Sequence, residues 1–315
     1  MASCDFEFLA DAVRDSIARL PLIPKAYRFA SRIRARSNQA TFLRLHGPIQ
    51  TVTVGRTAIS LDLREMHDFI MWSRFASGSR YESGTVSFLQ NVLSEGKVFV
   101  DVGANQGYFT LLASPLVGDS GLVYAFEPAP RAYSRLQWNL SRHQLHRNIV
   151  ARRTAISDHL GEADLFTSDF EDGLGSLVAS SESRERVKMS TLDNELHDRV
   201  PDVVKMDVEG SELPALQGMR HLLKRNPDLI VVVEWNRYYS SDELWEFLSR
   251  HFRLFRICET SEEGHLRPIV RRRDLRGIGN LACLQPRFEA RRSGVALRIA
   301  HTSRSPDPPP TNPTS

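Results

Sequence analysis

The chain has 315 residues with a formal net charge of +3, 41% hydrophobic and 25% charged residues, an ordinary balance for a globular protein. So small a net charge leaves no global footprint for nucleic acid, and no run of about 18 apolar residues offers a membrane span. Cys4, Cys258 and Cys283 are far apart and form no Cys-x-x-Cys pair, which argues against a disulfide framework or a zinc site and fits a reducing, cytoplasmic setting.

Residues 5–20 place Phe8, Leu9, Ala12, Val13, Ile17 and Leu20 at helical spacing, and beyond Pro21 and Pro24 a basic helix carries Lys25, Arg28, Arg32, Arg34 and Arg36. Residues 1–45 therefore read as a helical extension, with no basic segment leading into an apolar core as a signal peptide would have. Alternation over 49–63 around Gly55-Arg56 predicts a β-hairpin, and helices are predicted at 66–75 and 82–94. The core order that follows is strand 97–102, helix 107–116, strand 122–127, helix 130–143 and strand 149–154. A strand-rich insert at 161–190 comes next, then strand 202–207, helix 212–224, strand 229–234, helix 241–250 and strands near 252–258 and 280–285. Strands alternating with helices indicate one doubly wound α/β domain, residues 46–290. The remainder, 291–315, ends in a tail (301–315) with five prolines and no large apolar residue, predicted to be disordered.

The first core strand runs into Asp101-Val102-Gly103-Ala104-Asn105-Gln106-Gly107. Such an apolar strand is a buried parallel one, and glycines let the backbone bend sharply and approach a ligand. Ligands of open α/β sheets bind beyond the carboxyl ends of the strands, so Gly103, Asn105 and Gly107 are candidate cofactor contacts. The next strand closes on Glu127, 24 residues after Gly103, near the spacing at which a carboxylate accepts hydrogen bonds from ribose hydroxyls. Nicotinamide dinucleotides and S-adenosylmethionine both use that pair. Asn105, however, stands where a pyrophosphate would favour glycine. Asp101 would oppose a phosphate but suits the ammonium of a methionine moiety, which favours S-adenosylmethionine.

Two later strands also end in acids. Lys205-Met206-Asp207-Val208-Glu209-Gly210 places Asp207 and Glu209 at one strand end, and Ile230-Val231-Val232-Val233-Glu234 places Glu234 at another. Lys205 and Asp207, two residues apart, share a face of their strand. A lysine in so apolar a strand needs a partner, and orienting Asp207 or touching an acceptor hydroxyl would supply one. Asp207, Glu209, Glu234 and Lys205 are therefore the candidate catalytic residues.

Taken together, Asp101-Val102-Gly103-Ala104-Asn105-x-Gly107, Phe126-Glu127-Pro128, Thr191-Leu192-Asp193 and Lys205-Met206-Asp207-Val208-Glu209-Gly210-x-Glu212, with Tyr81-Glu82 upstream, resemble the FkbM-type S-adenosylmethionine-dependent methyltransferases. The resemblance spans about residues 45–285. It implies a Rossmann-like class I methyltransferase sheet, seven-stranded and mostly parallel with an antiparallel last strand, behind the helical and hairpin extension. It also implies O-methylation of a small molecule or glycan. Glu82 matches a family position near the methionine end of the cofactor, and Ile156 and Asp158 fall where the family places the adenine.

No Asn/Asp-Pro-Pro-aromatic tetrad follows the fourth strand and no basic stripe is interleaved with aromatics, so a nucleic-acid acceptor is not expected. No histidine pair has ligand spacing, so no metal is expected, and His143 and His251 are minor general-base candidates. Two other classes stay open on sequence alone: a nicotinamide-dependent oxidoreductase, and a non-catalytic scaffold that kept the fold.

Overall fold

The computed structural model describes residues 39–78, 80–142, 147–167, 175–176, 183–237, 239–259, 263–275, 277–289, 297 and 299. The helices expected at 5–20 and 25–36 and the tail at 301–315 lie outside them, as does His143. After helical residues 39–46, the expected hairpin forms from β1 (Ile49–Val54) and β2 (Thr57–Asp62), antiparallel, with Gly55 at φ 60 in the bend. Helix α1 (Met66–Ala76) and helix α2 (Ser83–Val92) follow.

The core then alternates: β3 (Val98–Val102), α3 (Tyr108–Val117), β4 (Leu122–Phe126), α4 (Pro130–Arg142) and β5 (Ile149–Arg152). Strand β5 stops earlier than the apolar run suggested. The chain leaves the main sheet there, and β6 (Ala155–Ile156) pairs with β9 (Ser183–Ser190) in a side sheet with β7 (Gly161–Thr167) and β8 (Gly175–Ser176). Next come α5 (Leu192–Glu195), β10 (Val203–Met206), α6 (Glu212–Gln217), α7 (Arg220–Arg225), β11 (Ile230–Asn236) and α8 (Asp242–His251). Strands β12 (Arg253–Ile257), β13 (Leu266–Ile269) and β14 (Ile278–Leu284) finish the fold.

The main sheet has the order β13-β12-β14-β11-β10-β3-β4-β5. Strands β11, β10, β3, β4 and β5 are parallel, and β14 runs antiparallel to β11. The expected seven strands are all present, and β13 is an eighth. It escaped the sequence because Pro268 interrupts its pattern, and proline is tolerated on an edge strand. Successive strand residues enter opposite layers: Phe99, Val203 and Val232 pack with the hairpin and α3, whereas Val100, Val204 and Val231 pack with α6 and α8. No described helix is long and apolar enough to cross a membrane.

The single helix expected over 212–224 is two. Gly218 separates them because its Cα is pressed onto the Ser157 carbonyl, where a Cβ would lie 2.0 Å from the oxygen. The Thr191-Leu192-Asp193 motif supports this break. Thr191 caps its own short helix through the Asn194 N–H (3.0 Å), and Asp193 accepts from His221 N and Leu222 N (both 2.9 Å) to cap α7. Replacing Gly218 by Ala should lower stability by about 1–3 kcal/mol by forcing these backbones apart, measured as a shift of the urea midpoint at unchanged slope.

Candidate active site

At the carboxyl ends of the parallel strands the loop after β3 crosses the loop after β10. Gly103 has φ 81, and a Cβ there would lie 1.9 Å from the Asp207 carbonyl oxygen, so only glycine permits the crossing. Its N–H and that of Ala104 donate to the Phe126 carbonyl (2.9 and 3.0 Å), which ties the turn to the end of β4. Asn105 at φ 48 turns its backbone N–H onto Glu127, whose Oε2 accepts it at 2.8 Å while Oε1 accepts from Ala129 N at 2.8 Å. Each carboxylate oxygen keeps a further lone pair for a ligand. Burial pushes the Glu127 carboxyl up to about 7, the two backbone donors pulling the other way.

The second loop carries the acids. Glu212 is buried and accepts from Val208 N (3.2 Å) and Gly210 N (3.3 Å), which shapes the turn in which Glu209 takes φ 48 and Gly210 φ 98. Lys205, only 1% exposed, donates to Asp207 Oδ2 at 3.0 Å and lies 4.4 Å from the Phe109 ring centroid. Burial opposes its charge, but Asp207, Glu82 and Asp101 more than offset it and hold the ammonium above the usual lysine range. Glu82 ends the approach to α2 in a left-handed conformation (φ 45), its Oε2 accepting from Asn280 Nδ2 at 2.7 Å. Its carboxyl is pushed up to about 7 by burial, against the pull of Lys205. Glu234 is pushed further, to about 10, by burial and by Asp207 and Glu209, and its Oε2 is buried with no hydrogen-bond partner among the described residues.

One cleft of about 1080 Å³, its mouth included, is lined by Gly103, Asn105, Glu127, Ile156, Lys205, Asp207, Glu209, Glu234 and Glu82. The structure thus brings together nine of the twelve residues proposed from sequence. Asp101 stands behind the wall, buried, with Oδ2 accepting from Thr110 Oγ1 at 2.6 Å. Gly107 also lies off the wall, because it opens α3 against Leu136. Asp158 turns toward His159 Nδ1 (2.6 Å) and does not line the cleft. Thr154, Ala155 and Leu165 line the cleft together with Ile156. His251 bonds the Phe247 carbonyl at the exposed end of α8, away from the wall.

Sequence reasoning missed His67, Tyr81, Gln106 and Asn280. Asn280 is the cross-strand neighbour of Glu234, a pairing set by the antiparallel β14 and carried by no local motif. Asp207, Glu209 and Glu234 each offer a carboxylate oxygen, all within 4.8 Å of one another. That spacing would admit a divalent cation, although no metal was expected from the sequence.

The strand order, with an antiparallel β14 inserted between β12 and β11 and a glycine loop facing a strand-end carboxylate, defines a Rossmann-like fold of the class I methyltransferase type. Residues 101–257, just under half of the chain, match the Methyltransferase FkbM domain. The chain is similar to the hexuronic acid methyltransferase AglP of Haloferax volcanii, 29% identical over 157 residues that cover 49% of this chain and 63% of AglP, less than two thirds of its length. Among solved structures it is similar to methyltransferase FkbM from Methylobacillus flagellatus (18% identity, 61% of this chain and 44% of that one, TM-score 0.42). A second is an S-adenosylmethionine-dependent O-methyltransferase from Thermotoga maritima (15% identity, 76% and 86%, TM-score 0.39).

The raised carboxyls make stability pH-dependent. An acid that holds its proton to about 7 or 10 in the native state but releases it near 4.3 when unfolded contributes stability below that lower value, and this is lost as pH rises through the native one. Thermal midpoints should therefore fall as pH is raised from 5 to 8. Glu234→Gln, which removes the charge and keeps the shape, should raise the midpoint at pH 8 more than at pH 5, as read by differential scanning fluorimetry.

Proposed function

We propose that this protein transfers a methyl group from S-adenosylmethionine to a hydroxyl of a sugar acid or related glycan. The observation that carries the cofactor reading is the buried Glu127 carboxylate, held by two backbone N–H groups beside a glycine loop that any larger residue would close. Its free lone pairs suit the two ribose hydroxyls. Asn105 and Ala104 would flank the nucleoside, and Ile156, Thr154 and Leu165 would cover the adenine. Glu82, with Asp101 behind Lys205, supplies negative charge for the methionine ammonium. Bound there, S-adenosylmethionine presents a methyl carbon on a sulfonium leaving group, so the protein has mainly to align an acceptor oxygen and take its proton.

In this reading Lys205 holds Asp207 in place at the acceptor end. Glu234, protonated near neutrality, can donate to an acceptor oxygen. Glu209 completes the acidic rim. The hairpin and α1 belong to the same catalytic unit, since His67 and Met71 of α1 line the cleft. The choice of a sugar acid rests on the name of AglP.

Calorimetric titration should show S-adenosylhomocysteine binding and no NADH binding; the reverse would restore the oxidoreductase class. Glu127→Ala should weaken S-adenosylhomocysteine at least about 100-fold, the order expected when a buried ligand hydroxyl loses its charged partner. Affinity in the unaltered protein should also fall as pH drops below about 7, because protonating Glu127 removes an acceptor. Asp207→Ala should cost more turnover than binding in a methyl-transfer assay with free and nucleotide-linked hexuronates. Equal loss of both would take Asp207 out of the reaction.

A further inference from the structure

The mouth of the cleft carries a group of polar side chains, most of them upstream of residues 101–257, that the reading above leaves unused. His67, in the first turn of α1, has Nε2 at 3.2 Å from Tyr81 Oη. Its Nδ1 lies 3.6 Å from Asp68 Oδ1 and 3.4 Å from Gln106 Nε2. Asp68 is fully buried; Oδ2 accepts from Asp62 N at 2.7 Å and pairs with Arg135, whereas Oδ1 has no hydrogen-bond partner among the described residues.

A buried carboxylate oxygen without a donor is costly, and the His67 Nδ1 position faces it. With the Gln106 amide turned so that its oxygen, otherwise buried without a partner among the described residues, meets Nδ1, a ring proton on Nδ1 finds acceptors in Gln106 and Asp68 and leaves the Nε2 lone pair for the Tyr81 hydroxyl. The two rings meet edge to face, 5.7 Å apart at 79°, and Tyr108 Oη donates to the Tyr81 carbonyl at 2.9 Å, which fixes the backbone. On its other side Tyr81 feels Glu82, Asp207 and Glu234; burial first, and these charges next, hold its hydroxyl well above the usual range. Tyr81 is thus a group that passes a proton on and does not store the negative charge. Both His67 and Tyr81 line the cleft, and His67 is the one histidine among the described residues that does.

We infer that Tyr81 and His67 form a proton relay for the acceptor, with Asp68 orienting the imidazole. As the acceptor oxygen bonds to the methyl carbon, its O–H proton passes to Tyr81 Oη and the Tyr81 proton passes to His67 Nε2. The methyl–sulfur bond breaks with its electron pair left on sulfur, and the imidazolium is stabilised by Asp68 until the proton leaves to solvent. Tyr81 is the catalytic residue in this scheme, and His67 and Asp68 position and receive the proton. The inference rests on the methyl-transfer reading and adds the route of the proton.

The test uses the full chain with methyl-tritiated S-adenosylmethionine and two acceptor probes, methyl β-D-glucuronide and a protein-free extract of the source cells. Tyr81→Phe and His67→Ala should each lower kcat about 100-fold, the contribution of a positioned base, while S-adenosylhomocysteine affinity stays within about twofold. Added imidazole should restore part of the turnover of His67→Ala and none of that of Tyr81→Phe. Unchanged turnover in His67→Ala, parallel loss of cofactor affinity, or failure of imidazole to restore activity would each overturn the relay. If the unaltered enzyme labels the extract but not the glucuronide, the sugar-acid acceptor falls and the relay is judged on the extract. If it binds S-adenosylhomocysteine yet labels neither, methyl transfer and relay fall together.

Discussion

Lys205 sits 1% exposed in a central strand, where an unpaired ammonium would cost several kcal/mol. It is tolerated because Asp207 accepts from it at 3.0 Å, Phe109 offers its ring face, and Glu82 and Asp101 add their field. Four segments meet at this cation: the end of β3, the end of β10, the start of α2 and the first turns of α3. Each contributes a residue to the cleft, so the geometry of the site and the solvation of one charge are the same constraint.

Negative charge exceeds positive charge around that lysine, and the surplus is handled by keeping protons on. Glu82 and Glu127 are raised to about 7 and Glu234 to about 10, all chiefly by burial. Such a cluster suits a cationic ligand, since each buried carboxyl can ionise when a positive group arrives. Stability given up to hold these groups in a low-dielectric cleft is the usual condition of a preorganised site.

The backbone does as much as the side chains. Gly103 allows the loops after β3 and β10 to touch, and Gly218 lets the junction of α6 and α7 press on the segment after β6. Glu212 and Asp193 then satisfy the N–H groups that these bends leave free. Motif acids with no access to the cleft are conformational, serving the shape of loops that carry the acids lining it.

From the residues alone the alternation of strands and helices, the glycine loop with its facing carboxylate and the Lys205–Asp207 pair were legible, because each is written in short-range periodicity or in a local motif. The same local logic failed at β13, where Pro268 masks an edge strand, and at the helix broken by Gly218. His67 and Asn280 carry no motif, Tyr81 enters only as the neighbour of Glu82, and Gln106 only as an unspecified position of the glycine loop. His67 reaches the cleft because α1 packs against the glycine loop, and an antiparallel strand sets Asn280 beside Glu234 and within bonding distance of Glu82. Sequence by itself determined the sheet and which acids stand at the ends of its strands, since hydrophobic period and backbone sterics are local. Tertiary structure decided which distant side chains face those ends, because that depends on register and packing between elements far apart in the chain.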